Sequence, residues 1–170
     1  MKTKHIALYA LFLAIAVIAN YIEHLIPIPF VYPGVKLGLA NAVGLIVLHY
    51  LGRKSYAAFG LLRVLLSAVL FTGFGSSFLI SLGGTILATL ITILVSSFTK
   101  TSIYGISASG AVCHGLGQVL VVSLLYGTIQ MVYYMFVIVI SSLITGVLMA
   151  LVSSLIIRKL PEKLINTKVN

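Results

Sequence analysis

Tyr32-Pro33-Gly34-Val35-Lys36-Leu37-Gly38-Leu39-Ala40-Asn41 is the stretch whose reading decides the fold. It is the one long break that tolerates polar residues in a chain otherwise built from apolar runs. Pro33 bars a helix from crossing it, and Gly38 and Asn41 lead into the next one. Lys36 stands there almost alone as a charge. A second cation, Arg63, sits in the middle of an apolar run. The two are read as the outer and inner marks of one anionic binding site inside a helical bundle.

Working outward, composition gives the solvent. The chain has 170 residues, 61% of them hydrophobic and 8% charged, with mean hydropathy +1.21. Soluble domains carry about 25% charged residues, so lipid is the expected surroundings and one domain, 1–170, the expected unit. Lysine and arginine number eleven against two acids. They are dispersed at segment ends rather than gathered in a patch, which points away from nucleic acid. The single cysteine, Cys113, excludes an internal disulfide framework. The run 6–22 is longer than the core of a signal peptide and is read as a retained helix.

About 20 apolar residues span the hydrocarbon core as a helix. The runs place six helices at 5–22, 38–51, 55–72, 77–98, 104–126 and 130–157. The alternation of barrel strands is missing, and helices are the other way to satisfy a backbone in lipid. An external loop, 23–37, joins the first two. Its prolines (Pro27, Pro29, Pro33) and apolar side chains suit a lid over the bundle, with an interfacial loop on lipid headgroups as the plainer alternative.

Basic residues in short loops mark the cytoplasmic side. With the N-terminus inside, Lys2, Lys4, Arg53, Lys54, Lys100, Arg158, Lys159, Lys163 and Lys168 all fall inside, and Lys36 alone outside. The expectation is a multi-pass protein of the cell membrane with both termini cytoplasmic.

Candidate binding residues follow from the cost of polarity in lipid. A central arginine costs about 2.5–3.5 kcal/mol on insertion scales, so it normally faces a cavity or a partner. Arg63 either binds an anionic group of a ligand, which its planar guanidinium suits, or pairs with Glu23. His114 and Gln118 are one turn apart and share a face, where each serves a ligand or an interhelical hydrogen bond. Asn41 opens the second helix. The ligand-binding set is therefore Lys36, Arg63, His114, Asn41, Gln118 and Glu23. Small residues are the other signal: Ala10 and Ala14 share a face of the first helix, and Gly84, Ala88 and Thr92 one of the fourth.

Several chemistries are excluded. The chain has no aspartate, and Glu23 and Glu162 fall on opposite sides of the membrane in this topology. A carboxylate site for magnesium on a diphosphate cannot be assembled from them. Paired carboxylates, zinc-spaced ligands and a phosphate-cradling glycine loop are all missing. The expected class is not an enzyme, with no cofactor and no metal, and any ATP-driven transport needs a partner.

Pro33-Gly34-Val35-Lys36-Leu37-Gly38-Leu39-Ala40-Asn41, Leu62-Arg63-Val64-Leu65-Leu66 and His114-Gly115-Leu116-Gly117-Gln118 together resemble the Gx transporter family, also labelled heptaprenyl diphosphate synthase component I. The third motif departs from the family pattern, with Gly115 where asparagine is expected. Members are similar to the substrate-binding S-components of energy-coupling-factor (ECF) transporters. That likeness implies a six-helix bundle, an external pocket under a lid, and docking to a membrane coupling subunit through small residues of the first helix, best matched by Ala10 and Ala14. Two cytoplasmic ATPases would supply the energy. The reading is a membrane-embedded binding subunit for a small anionic or amphipathic solute such as a vitamin, flavin or isoprenoid precursor. The alternative is a non-catalytic membrane scaffold for polyprenyl diphosphate or quinone synthesis or for flavin-linked electron transfer.

Overall fold

The computed structural model describes residues 3–25, 38–98, 101–127, 133 and 135–160. These residues form an all-α bundle: α1 (Thr3–Leu25), α2 (Leu39–Ser67), α3 (Ser76–Phe98), α4 (Ile103–Tyr126) and α5 (Met135–Lys159), with a π-helical turn at Ala68–Thr72 closing α2. All five are long and apolar enough to cross a membrane.

Six helices are expected from the apolar runs, and five long helices are found among the described residues because two expected spans fall within α2. Gly52 lies inside this helix with φ 82° and ψ 177°, a conformation foreign to a helix and open to glycine. There the chain doubles back. In a straight helix Asn41 and Arg63 would stand about 33 Å apart; here Arg63 Nη1 donates to Asn41 Oδ1 at 3.1 Å. Gly44 likewise lies against the rings of Tyr56 and Phe59. The first arm, thirteen residues from Leu39 to Leu51, is only about 20 Å long.

The folded α2 is the hub, touching α1, α3, α4 and α5. Phe12 and Ala16 of α1 pack with Ala40, Val43, Ile46, Val47 and Phe59 of its two arms. Close to the Gly52 bend, Tyr9 Oη donates to Ser55 O (3.4 Å), Tyr50 Oη to Ile157 O (3.1 Å) and Arg53 Nη2 to Ser96 O (2.6 Å). The start of α1, the bend in α2, the end of α3 and the end of α5 therefore share one end of the bundle. Lys4, Arg53, Lys54, Arg158 and Lys159 all belong to that end.

On the other flank, α3, α4 and α5 approach backbone to backbone. A Cβ on Gly117 would stand 2.7 Å from Gly83 O, and one on Gly146 would stand 2.8 Å from Ala111 Cβ. Gly84, Ala88 and Thr92 are buried, as their four-residue spacing predicts. Small residues let helices in lipid gain dispersion contacts over a long seam. Gly115, the departure from the family pattern, is used the same way: a Cβ there would meet Ile138 at 2.6 Å and Ser142 Oγ at 2.8 Å.

Candidate functional site

Between the helices lies a cavity of about 60 Å³, rimmed by the end of α1 and the start of α2. Every element contributes to it: Asn20 and Glu23 from α1, Asn41 and Arg63 from the two arms of α2, Ser81 from α3, Ser107, His114 and Gln118 from α4, and Ser142, Thr145 and Met149 from α5. Five of the six residues chosen from the sequence (Glu23, Asn41, Arg63, His114 and Gln118) meet on this one space. The sixth, Lys36, lies outside the described residues, as does most of the expected lid, 26–37. Ala10 and Ala14 are exposed on α1 and take no part in the cavity.

Arg63 is the floor. It is buried, 9% exposed, and among the described residues it donates from Nη1 to Asn41 Oδ1 at 3.1 Å. Its Nε is also buried and has no hydrogen-bond partner among the described residues. An orphaned N–H on a cation is costly in a medium of low dielectric. Glu23 does not repay that cost directly. Its Oε1 accepts from Leu39 N–H at 2.5 Å, where a carboxylate complements the exposed amides and positive pole of a helix start. Gly38, at φ 84°, turns the chain into α2 there, and its carbonyl accepts from Asn41 N at 2.8 Å. For the pairing with Glu23 expected as one alternative for Arg63, the described residues show no direct bond: Arg63 is held by Asn41, and Glu23 Oε1 by the start of α2.

Local sequence explains how the polar groups reach the centre. Gly84 carries no Cβ where Gln118 Cγ would lie 2.8 Å away and His114 Cε1 3.1 Å away. Its bareness is what seats the His114–Gln118 face against α3. The hydroxyls of Ser107 and Thr145 are spent on backbone carbonyls inside the bundle. Ser107 Oγ donates across to Gly146 O at 2.7 Å, and Thr145 Oγ1 donates to Ser142 O at 3.2 Å. Asn20 Nδ2 donates to Ser67 Oγ at 2.9 Å and ties α1 to α2 at the rim.

Sequence reasoning passed over Asn20, Ser81, Ser142 and Thr145. Single hydroxyls and amides in apolar helices are common, and helical spacing alone does not say which face the space. The four-residue run of small or hydroxyl residues Ser142, Gly146 and Ala150 was the signal available, since it marks the face of α5 laid on α4. Chemically the cavity is donor-rich: a guanidinium, an imidazole and three carboxamides (Asn20, Asn41 and Gln118) converge, with one carboxylate at the rim. Such a lining suits an anionic group.

The family profile described as Heptaprenyl diphosphate synthase component I matches residues 12–156 of the chain. Neither the curated proteins nor the solved structures yield a match.

Proposed function

The chain belongs to the heptaprenyl diphosphate synthase component I family, and from that premise we propose that it is a membrane-embedded subunit that binds a small anionic or amphipathic solute for uptake. The observation that carries the reading is Arg63: a buried cation, held by a neutral amide and short of one partner, opening on a cavity with His114 and Gln118. A vitamin, a flavin or an isoprenoid or quinone precursor with a carboxylate or phosphate fits that chemistry. Sites for whole molecules of that size measure about 300–1,000 Å³, whereas this cavity holds about 60 Å³. It takes the charged end of such a solute, and the helices must separate to admit the rest.

The charge pattern supports an orientation. Five described cations gather at one end, which the positive-inside rule makes cytoplasmic. Counting the arms of α2 separately gives six long helical segments among the described residues, and six crossings would return both termini to that side. The cavity then opens outward. The exposed Ala10 and Ala14 on α1 leave a close-approach face for a coupling subunit, with cytoplasmic ATPases supplying energy in the manner of ECF S-components.

A second reading rests on the family's own description, component I of a synthase, which names an assembly with another component. In this reading the chain is a non-catalytic membrane subunit or scaffold beside polyprenyl diphosphate or quinone synthesis. The protein itself lacks the carboxylates that would hold magnesium on a diphosphate.

Native mass spectrometry of protein extracted gently from its own membrane tests the first reading. The expected result is a bound molecule of defined mass on the wild type that is lost from Arg63→Ala. Equal retention by both removes Arg63 from the site. A copurifying prenyl synthase, with no small molecule bound, would establish the second reading in its place.

A further inference from the structure

A second and smaller chamber, about 20 Å³, lies against the same arginine. Its walls include Gly44, Tyr56, Gly60, Thr85 and Thr89. Asn41, Arg63 and His114 line both chambers and form the partition between them. Two buried polar atoms among its lining residues have no hydrogen-bond partner among the described residues: Arg63 Nε and Thr85 Oγ1. Arg63 is 9% exposed and Thr85 3%. Thr85 is not among the walls of the larger cavity, so a solute held there leaves its hydroxyl unanswered.

The chemistry of this chamber is one-sided. Arg63 Nε–H can only donate, and the Thr85 hydroxyl is able to donate. The Tyr56 hydroxyl is already directed to Thr92 Oγ1 at 3.5 Å. None of the described lining residues carries a carboxylate. One water needs at least about 10–15 Å³ of such space, so a chamber of about 20 Å³ has room for one small particle. The nearest carboxylate, Glu23, lines the larger cavity with its Oε1 bonded to Leu39 N–H. On this side the buried cation therefore has no hydrogen-bonded charge partner among the described residues, and a buried charge is tolerated when it is both paired and hydrogen-bonded.

We propose that the chamber binds one halide ion, chloride in the cell, between Arg63 Nε–H and Thr85 Oγ1–H. The ion is the resident counter-charge of Arg63. With Nη1 held by Asn41 and Nε by the ion, the guanidinium is locked in place, and its remaining N–H groups are left for the larger cavity. The site shares Arg63 with the larger cavity, but it stands whether or not the solute reading holds.

The experiment is a thermal unfolding titration of the purified protein in detergent. Sodium gluconate is replaced by sodium chloride or bromide at constant ionic strength. A species that binds only the folded state raises Tm with its concentration, so the expected result is a saturable rise of a few degrees with either halide. Thr85→Val keeps the shape and removes the hydroxyl, and should flatten that rise. Wild-type crystals soaked in bromide should show an anomalous peak within hydrogen-bond distance of both Arg63 Nε and Thr85 Oγ1. A flat wild-type titration, a full halide response in Thr85→Val, or density in the chamber without a bromide signal (a water) would each overturn the proposal. None of these outcomes bears on the mass-spectrometric test of the solute, which is run without halide.

Discussion

Two sets of small residues in this chain meet opposite fates. On α3, Gly84, Ala88 and Thr92 are buried, and the backbone of α4 comes so close that a methyl on Gly117 would collide with Gly83 O. On α1, Ala10 and Ala14 share a face and are exposed, while Ala16 close by is fully buried with Ala40 and Phe59. Small side chains are permissive rather than attractive. In lipid there is little hydrophobic drive between helices, so a bare face gains energy only when another backbone arrives to use it. The α3 stripe finds its partner within the chain. The α1 stripe has none among the described residues, which leaves it open to the coupling subunit proposed above.

The largest effect expected is at the α3–α4 crossing. Gly117→Leu places a branched side chain against the backbone of Gly83 and Gly84, where nothing flexible can yield. Overpacking of a close-packed site costs about 1–3 kcal/mol and sometimes more, and this variant should lie at the top of that range or fail to fold. Steric-trap unfolding in bicelles measures it. Near-wild-type stability would mean that the crossing is not close.

Next in size is Ala16→Leu, at the other buried contact. It should destabilise by about 1–3 kcal/mol in the same assay, because Ala16 is fully enclosed between α1 and α2. Ser107→Ala removes the hydroxyl that bonds Gly146 O across α4 and α5 at 2.7 Å. Interhelical bonds of this kind contribute about 0.6 kcal/mol on average, so a loss of that order is expected. A loss above about 2 kcal/mol would show that the serine also supports the cavity wall.

Smallest of all is Ala14→Leu. On an exposed face it should change the stability of the isolated chain by less than about 0.5 kcal/mol. If the α1 face receives a coupling subunit, the same variant should nonetheless abolish copurification of that subunit. Stability loss equal to that of Ala16→Leu would erase the contrast between the two stripes. Unchanged copurification of a captured coupling subunit would move the docking face elsewhere.

Much of the site was legible because polarity in an apolar helix is conspicuous. Arg63, His114 and Gln118 stand out against their neighbours, and all three line the cavity. The hydroxyls of Ser81, Ser142 and Thr145 line it too, yet they did not stand out, since serine and threonine are ordinary in membrane helices. The pairing of Arg63 was also hidden. The sequence left Arg63 open between a ligand's anionic group and Glu23; the side chain it meets, Asn41, was neither, and it is reached only because the chain reverses at Gly52.

The sequence by itself determined the solvent, the helical class and the positions at which polarity had to be answered. Those follow from local rules: apolar runs of spanning length, and the cost of a bare cation in hydrocarbon. Tertiary structure decided which faces meet. It folded α2 into two arms, gave Glu23 to the start of α2 rather than to Arg63, buried one small-residue stripe while leaving another bare, and shaped a second chamber behind the arginine. The physical reason is that helical periodicity fixes which residues share a face, whereas the partner of that face is chosen by close packing among all the helices at once.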